Sequence, residues 1–189
     1  MTAIRFLLNG EERHAEGIAP TTTVLNHLRY GERLTGTKEG CAEGDCGACT
    51  ILVSEPDGAG GIRRRAMNSC ILFMPALHGK AVETVEHLAR DGLNPLQEAM
   101  VRHHASQCGF CTPGFVMQLH TAWLNGALGD RQSVKDAVSD LPGIATREDG
   151  RLLPATASSS PRTATTRPAS WPTASCPALA SPSIPAPRR

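Results

Sequence analysis

Aromatic residues are scarce in this sequence: four Phe, two Trp and one Tyr among 189 residues. A large core of packed rings is therefore excluded, and any core rests on Leu, Val, Ile and Ala. Small domains with such modest cores often lean on a metal centre for stability. No stretch reaches the roughly 18 apolar residues that a membrane-crossing helix needs. The first residues show no charged leader followed by an apolar run, so the expectation is a cytoplasmic protein with no membrane contact. No P-loop, G-x-G-x-x-G, Ser-His-Asp grouping or paired-carboxylate motif occurs, and no catalytic residue is assigned to this chain. A nucleic-acid partner is excluded because no basic helix or stripe carries interleaved aromatics. The Arg63-Arg64-Arg65 run reads as a solvated strand or turn.

Acidic residues are missing from one part of the chain altogether. All 18 precede Arg151, as do 14 of the 19 basic ones, which leaves residues 1–150 with a balance of −4. The 39 residues from Arg151 onward carry five Arg and no acid, and 28 of them are Pro, Ala, Ser or Thr. Leu152, Leu153, Trp171, Leu179 and Ile184 are too sparse there to offset the ordering entropy, so the tail is expected to be disordered.

What is present begins with a strand over residues 4–9, ended by the hairpin signal Asn9-Gly10. A second short strand follows near Arg13. Thr22 or Thr23 is placed to cap a helix that buries Val24, Leu25 and Leu28. Residues 35–49 have a loop composition. Strands are expected over 50–54, leading to the Asp57-Gly58 turn, then on the approach to Cys70, and over 81–85. After Leu93 the character becomes helical. Asn94 is a cap with Pro95 in the first helical position, and Leu96, Ala99, Met100 and His103 share a face at helical spacing. Thr112-Pro113 opens a second helix through Val116, Leu119, Ala122 and Trp123, closed by Gly126. Ser133 is a cap for a third helix over 134–138. The organisation read from this is a sheet domain over 1–90, a helical domain over 91–140 and a tail over 141–189.

Seven cysteines in a chain of this compartment point to metal or redox chemistry before disulfides. Cys41-x4-Cys46-x2-Cys49, with 20 residues before Cys70, is the spacing of a plant-type [2Fe-2S] site. Two bridged irons need four thiolates around a flat rhomb. One tight loop supplies three of them and a neighbouring strand end the fourth. Gly40, Gly44 and Gly47 let the backbone approach without Cβ clashes, so that N–H groups can face the sulfurs. A structural zinc is the alternative, although zinc sites favour paired C-x2-C knuckles and this set has one. Buried free thiols are the other, against which the glycines and charges of the loop argue.

Cys108-Gly-Phe-Cys111 at a helix start is either half a metal site or a thiol–disulfide pair. No further cysteine occurs before Cys176, which is treated as incidental. His103 and His104, on the preceding helix, are ligand candidates whose simpler reading is as partly buried helix-face residues.

Thr35-Gly-Thr-Lys-Glu-Gly-Cys-Ala-Glu-Gly-Asp-Cys-Gly-Ala-Cys-Thr50 resembles the signature loop of the molybdenum hydroxylases. Ser106-Gln-Cys-Gly-Phe-Cys-Thr-Pro-Gly-Phe115 resembles that family's second signature. Phe6-Leu-Leu-Asn-Gly10, Met67-Asn-Ser-Cys70 and His103-His104-Ala-Ser are most similar to the small iron–sulfur subunits of the bacterial xanthine dehydrogenases. The resemblance covers residues 3–138. It implies an α+β fold: a β-grasp, ferredoxin-like [2Fe-2S] domain followed by a helical [2Fe-2S]-binding domain. The first cluster, on Cys41, Cys46, Cys49 and Cys70, would lie on the flavin side. Cys108 and Cys111 match two ligands of a second cluster beside molybdopterin, and Gln107 matches a pterin contact. The partners implied are a molybdopterin-binding large subunit and a FAD-binding domain. Electrons from purine hydroxylation would pass through the two clusters to FAD and then NAD. Aldehyde or N-heterocycle oxidoreductases are the neighbouring possibility.

One departure is decisive. The family completes its second cluster with a C-x-C just after the position of Val138-Ser139. Here the chain reads Asp140-Leu-Pro-Gly-Ile-Ala-Thr-Arg-Glu-Asp149. The abrupt change into an acid-free tail suggests a reading-frame shift near residue 139, and the helical domain is expected to be incomplete. A third reading is a decayed product with no stable fold, in which Val116, Leu119 and Trp123 would stand exposed.

Overall fold

The computed structural model describes residues 3–139, 145–146 and 152–153. Strands β1 (Ile4–Leu8) and β2 (Glu11–Ala15) pair antiparallel with Leu8 opposite Glu11. The two residues between them, Asn9 (φ 54°) and Gly10 (φ 85°), are both left-handed, which is what a tight right-twisted hairpin requires. Thr23 caps α1 (Val24–Asn26), its hydroxyl accepting from the Asn26 N–H at 3.2 Å, and the helix continues as a wider turn over His27–Gly31. Strands β3 (Thr50–Pro56), β4 (Ile62–Asn68) and β5 (Ala81–Glu83) complete a five-stranded sheet in the order β2-β1-β5-β3-β4. The β1–β5 pair is parallel and the other pairs are antiparallel.

The interior strand β3, between β5 and β4, is buried on both faces. Ile51 and Val53 join Phe6, Leu8, Val24, Leu28, Met74, Leu77 and Val82 under α1. Leu52 points the other way, to Val116, Met117 and Leu88. A strand covered on both sides reads as an unbroken apolar run, as Ile51-Leu52-Val53 does. β4 alternates instead. Arg63 and Arg65 reach Glu55 at 3.8 and 4.0 Å, beside the closer Lys80–Glu55 pair at 2.8 Å, while Arg64 turns to the opposite face and is half-buried. The arginine run is thus a strand, one of the two forms expected, with Arg63 and Arg64 partly buried and Arg65 exposed.

The covering element on the Leu52 side is α3 (Thr112–Leu124), with Pro113 in its first turn and Gly126 (φ 66°) just past its end. Val116 is therefore buried against the sheet, while Leu119 and Trp123 are half-buried. The reading that exposed all three is corrected: Val116 packs against Leu52 of β3. α2 (Pro95–Arg102) is capped by Asn94, whose Oδ1 accepts from the Gln97 N–H at 2.8 Å, and Gln97 Oε1 returns the contact to the Asn94 N–H at 3.1 Å. None of its residues is buried; of the face read as apolar, Met100 packs against the second core, whereas His103 is an exposed C-cap. α4 spans Arg131–Ser139, starting before the expected Ser133 cap. Asp130 takes the capping role by accepting from the Ser133 N–H at 2.8 Å, and Ser133 Oγ accepts from the N–H groups of Gly129 and Asp130, each at 2.9 Å. Serine here is the inner partner of a reciprocal cap. Gln118 Nε2 donates to the Ala137 carbonyl at 3.0 Å and ties α3 to α4.

Two short strands, β6 (Ala145–Thr146) and β7 (Leu152–Leu153), pair antiparallel within the segment read as disordered. The rest of that reading, Cys176 included, lies outside the described residues. Among the described residues no helix is long and apolar enough to cross a membrane.

Candidate iron–sulfur site

The loop between α1 and β3 folds into a nest of sulfurs because β4 returns its end beneath it. Ser69, after the end of β4, accepts from the Leu25 N–H at 3.0 Å, and its hydroxyl donates to the Cys49 carbonyl at 2.7 Å. Asn68 Nδ2 donates to the Gly44 carbonyl at 2.6 Å. Thr50 Oγ1 donates to the Gly47 carbonyl at 2.7 Å. Arg29 Nη1 donates to the Thr37 carbonyl at 2.9 Å, which pins the start of the loop to the helix side. Arg29, Thr50, Asn68 and Ser69 thus hold the loop. No sequence signal singled them out for that work, although Thr50 ends the Thr35–Thr50 match and Asn68 and Ser69 sit in the Met67-Asn-Ser-Cys70 match.

The four thiols of the first set fall into two pairs. Cys46 Sγ accepts from the Cys41 N–H at 3.4 Å, and Cys41 Sγ accepts from the N–H groups of Asp45 and Cys46 at 3.3 Å each. Cys49 and Cys70 are buried and pack together with Leu25. Among the described residues no three His, Cys, Asp or Glu converge on a single point as ligands of one metal ion would. Two pairs side by side are what a two-iron rhomb takes, two thiolates on each iron.

Their acidities differ for physical reasons. Burial pushes the Cys41 thiol up, but N–H groups from Glu43, Cys46 and Asp45 aim at its sulfur and bring it down to about 7. Burial pushes the Cys70 thiol up to about 12, with neighbouring Cys49 adding to the rise and the Gly44 N–H opposing it. Loading iron must therefore expel a firmly held proton from the Cys49–Cys70 side.

The glycines divide the work. The Gly44 N–H favours the Cys70 thiolate. At Gly40 a Cβ would stand 2.7 Å from Cys46 Sγ, so only glycine leaves that sulfur its place. Gly47, at φ 67°, turns its carbonyl to the buried Thr50 hydroxyl, from which it accepts, and against Gly114 of α3. The donor set, the aimed amides and the space left beside Cys46 suit a [2Fe-2S] group.

The second set is differently placed. Cys108 and Cys111 are exposed, as are Gln107, His103 and His104. They lie on the break between α2 and α3, with Cys111 as the N-cap of α3. No third ligand joins them among the described residues. The expectation of partly buried helix-face histidines is corrected: His103 ends α2 and His104 takes a left-handed backbone (φ 49°) in water.

Comparison with known proteins accords with this geometry. A 2Fe-2S iron-sulfur cluster binding domain matches residues 6–74 and a [2Fe-2S] binding domain matches residues 84–141. Quinoline 2-oxidoreductase from Pseudomonas putida 86 contains a chain 36% identical to this one, with a TM-score of 0.61; the match covers 73% of this chain and 80% of that one. This chain belongs to the [2Fe-2S] iron–sulfur family of the molybdenum hydroxylases. Within that family, xanthine dehydrogenase of Drosophila subobscura is 44% identical over 134 residues, 69% of this chain and 10% of the relative. Aldehyde oxidase 1 of Cavia porcellus is 44% identical over 122 residues, 63% of this chain and 9% of the relative. The aldehyde oxidoreductase structure from Desulfovibrio desulfuricans aligns with a TM-score of 0.66 at 32% identity, over 77% of this chain and 15% of that one. The chain thus spans about a tenth of the length of the curated relatives it matches, and both family matches end by residue 141.

Proposed function

We propose that this chain is an iron–sulfur electron carrier of a xanthine dehydrogenase-like molybdenum hydroxylase, and so part of an oxidoreductase. The observation that carries the reading is the grouping of Cys41 with Cys46 and of Cys49 with Cys70 under aimed N–H groups. A [2Fe-2S] group bound there supplies a site that takes up and gives back one electron. Cys41, Cys46, Cys49 and Cys70 hold it. The N–H groups of Glu43, Asp45 and Cys46 offset the extra negative charge of the reduced state. Gly40 leaves room for Cys46, and Gly44 serves Cys70.

By likeness to the family, this nest faces a FAD-binding domain, and Gln107, Cys108 and Cys111 face a molybdopterin-binding subunit. The bacterial small subunit of xanthine dehydrogenase is the specific form proposed, in the cytoplasm and in purine breakdown. The 1–90, 91–140 and 141–189 division belongs to the same proposal. The quinoline 2-oxidoreductase chain, of which this one covers 80%, favours a second reading as the small subunit of an N-heterocycle or aldehyde oxidoreductase. A FAD domain encoded beside this chain favours the first.

Cys108 and Cys111 supply two thiolates where a [2Fe-2S] group needs four. The second site is therefore proposed to stay unfilled on this chain, and substrate-to-NAD turnover to fail in a complex built with it. Resequencing the coding region past residue 139 tests the origin of the break. A Cys-x-Cys in another phase supports a frame shift, and a clean frame without one removes it.

Iron and acid-labile sulfide per chain, on protein purified without oxygen, test the function directly. About two of each, with red-brown colour, support one ferredoxin-type group. About four of each mean the second site is completed elsewhere. A colourless protein holding zinc removes the electron-transfer reading.

A further inference from the structure

The cysteine nest is flanked by two exposed apolar side chains that the function above does not use. Phe110 is 47% exposed and Ile71 is 57% exposed. Each is carried next to a cysteine: Ile71 follows Cys70, and Phe110 lies between Cys108 and Cys111. Each also rests on a glycine of the nest. The position of a Cβ on Gly40, 2.7 Å from Cys46 Sγ, is 3.5 Å from the Phe110 ring edge. The position of a Cβ on Gly44 is 2.9 Å from Ile71 Cδ1. The two glycines thus make room for sulfur and for an apolar cover at once.

We infer that Phe110 and Ile71 are positioning residues that shut water out from two sides of the Cys41–Cys70 nest and so set the reduction potential of the group it holds. The inference rests on the reading of that nest as a [2Fe-2S] site. The physical basis is charge. Each electron taken up adds negative charge to the site, and water stabilises that charge better than a hydrocarbon does. Removing a cover admits water, so the reduced state becomes easier to reach and the potential moves upward. Water at the sulfurs also opens a route for chelators. Phe110 adds a connection between the two cysteine sets: the short Cys108–Cys111 loop holds its ring against the Gly40 edge, so the packing of that loop bears on the first nest.

The test uses the full chain purified without oxygen, with the potential read by EPR-monitored titration and the loss of visible absorption followed in excess EDTA. Phe110→Ala and Ile71→Ala are each expected to raise the potential and to speed bleaching by EDTA several-fold. Phe110→Tyr and Ile71→Leu, which keep the covers, are expected to restore both. Val101→Ala, an apolar-to-small change at a 66% exposed position on α2, is expected to alter neither. Unchanged potential and bleaching in both alanine variants overturn the inference while leaving the electron-carrier reading intact. An equal shift in Val101→Ala overturns it too, as a general loosening. Absence of iron from the wild-type chain instead removes the reading beneath it.

Discussion

Gly114, in the first turn of α3, lies directly on the carbonyl oxygen of Gly47, the glycine between Cys46 and Cys49. The helix that covers Leu52 therefore also presses on the cysteine loop. The stretch Cys108–Gly114 and the stretch Gly40–Cys49 are packed as one seam, with the Phe110 ring at its outer edge.

That contact reverses an ordinary expectation. Alanine inside a helix is favoured over glycine by about 1 kcal/mol. At position 114 a Cβ would overlap the Gly47 carbonyl, and forcing extra volume into such a site costs about 1–3 kcal/mol. Gly114→Ala should lower the thermal midpoint by several degrees and weaken iron retention, both measurable on the purified chain. A rise in midpoint would show that the seam gives way easily.

Gly40→Ala should act on the site more than on the fold. Its Cβ would stand 2.7 Å from Cys46 Sγ, with the Ala48 Cβ and the Phe110 ring 3.5 Å away on other sides. The expected outcome is a folded chain by circular dichroism with iron content reduced well below that of wild type. Full loading of this variant would contradict the assigned place of the Cys46 sulfur.

Asn94→Ala removes one half of a reciprocal cap at a position only 5% exposed. The expected loss is about 1 kcal/mol, read from the urea midpoint. It should come with faster amide exchange in the first turn of α2, because the Gln97 N–H loses its acceptor. No change in exchange there would mean that α2 is held by its neighbours alone.

Farther along α3, its contact with the sheet also holds titratable groups. His120 of α3 lies 3.9 Å from Glu83 of β5, with Arg64 of β4 and His87 nearby. Burial, then the charges of His87 and Arg64, lowers His120 from 6.5 to about 4. The unfolded chain takes this proton near 6.5 and the folded chain resists it until about 4, so the stability tied to neutral His120 is whole above 6.5 and drains away between those values. Glu83 runs the other way: burial raises its carboxyl, partly opposed by Arg64, so its share is present in acid and lost as pH rises through its raised value. His120→Gln should therefore flatten the fall of the thermal midpoint between pH 6.5 and 4. An unchanged slope would place the acid sensitivity elsewhere.

Much of the fold was legible because its signals are local. Asn9-Gly10 dictates a left-handed two-residue turn, Asn94-Pro95 a helix start, and Ile51-Leu52-Val53 a strand, and each stands where the sequence placed it. Ser133 was misassigned because Asp130, three residues earlier, is an equally good cap, and only the chain path shows which residue stands outside the helix. The face read on α2 is only partly covered, at Met100 and Leu96 and not at Ala99 or His103, because helical periodicity says which residues align, not how much lies opposite them.

The sequence by itself determined the candidate ligand set: four cysteines at x4, x2 and a long interval, glycines among them, and a second pair without its complement before residue 139. Spacing along one tight loop is a covalent constraint, so it survives without knowledge of the rest of the molecule. Only the tertiary structure decided how the thiols pair and which amides face them. It also decided that α3 seals the sheet and the cysteine loop together, and that Phe110 and Ile71 rest on Gly40 and Gly44. Apart from the Cys41–Cys46 pair and its amides, those relations join residues tens of positions apart. They are set by how β4, β5 and α3 pack around β3, where burial and the exclusion of water choose among arrangements that the sequence pattern leaves equal.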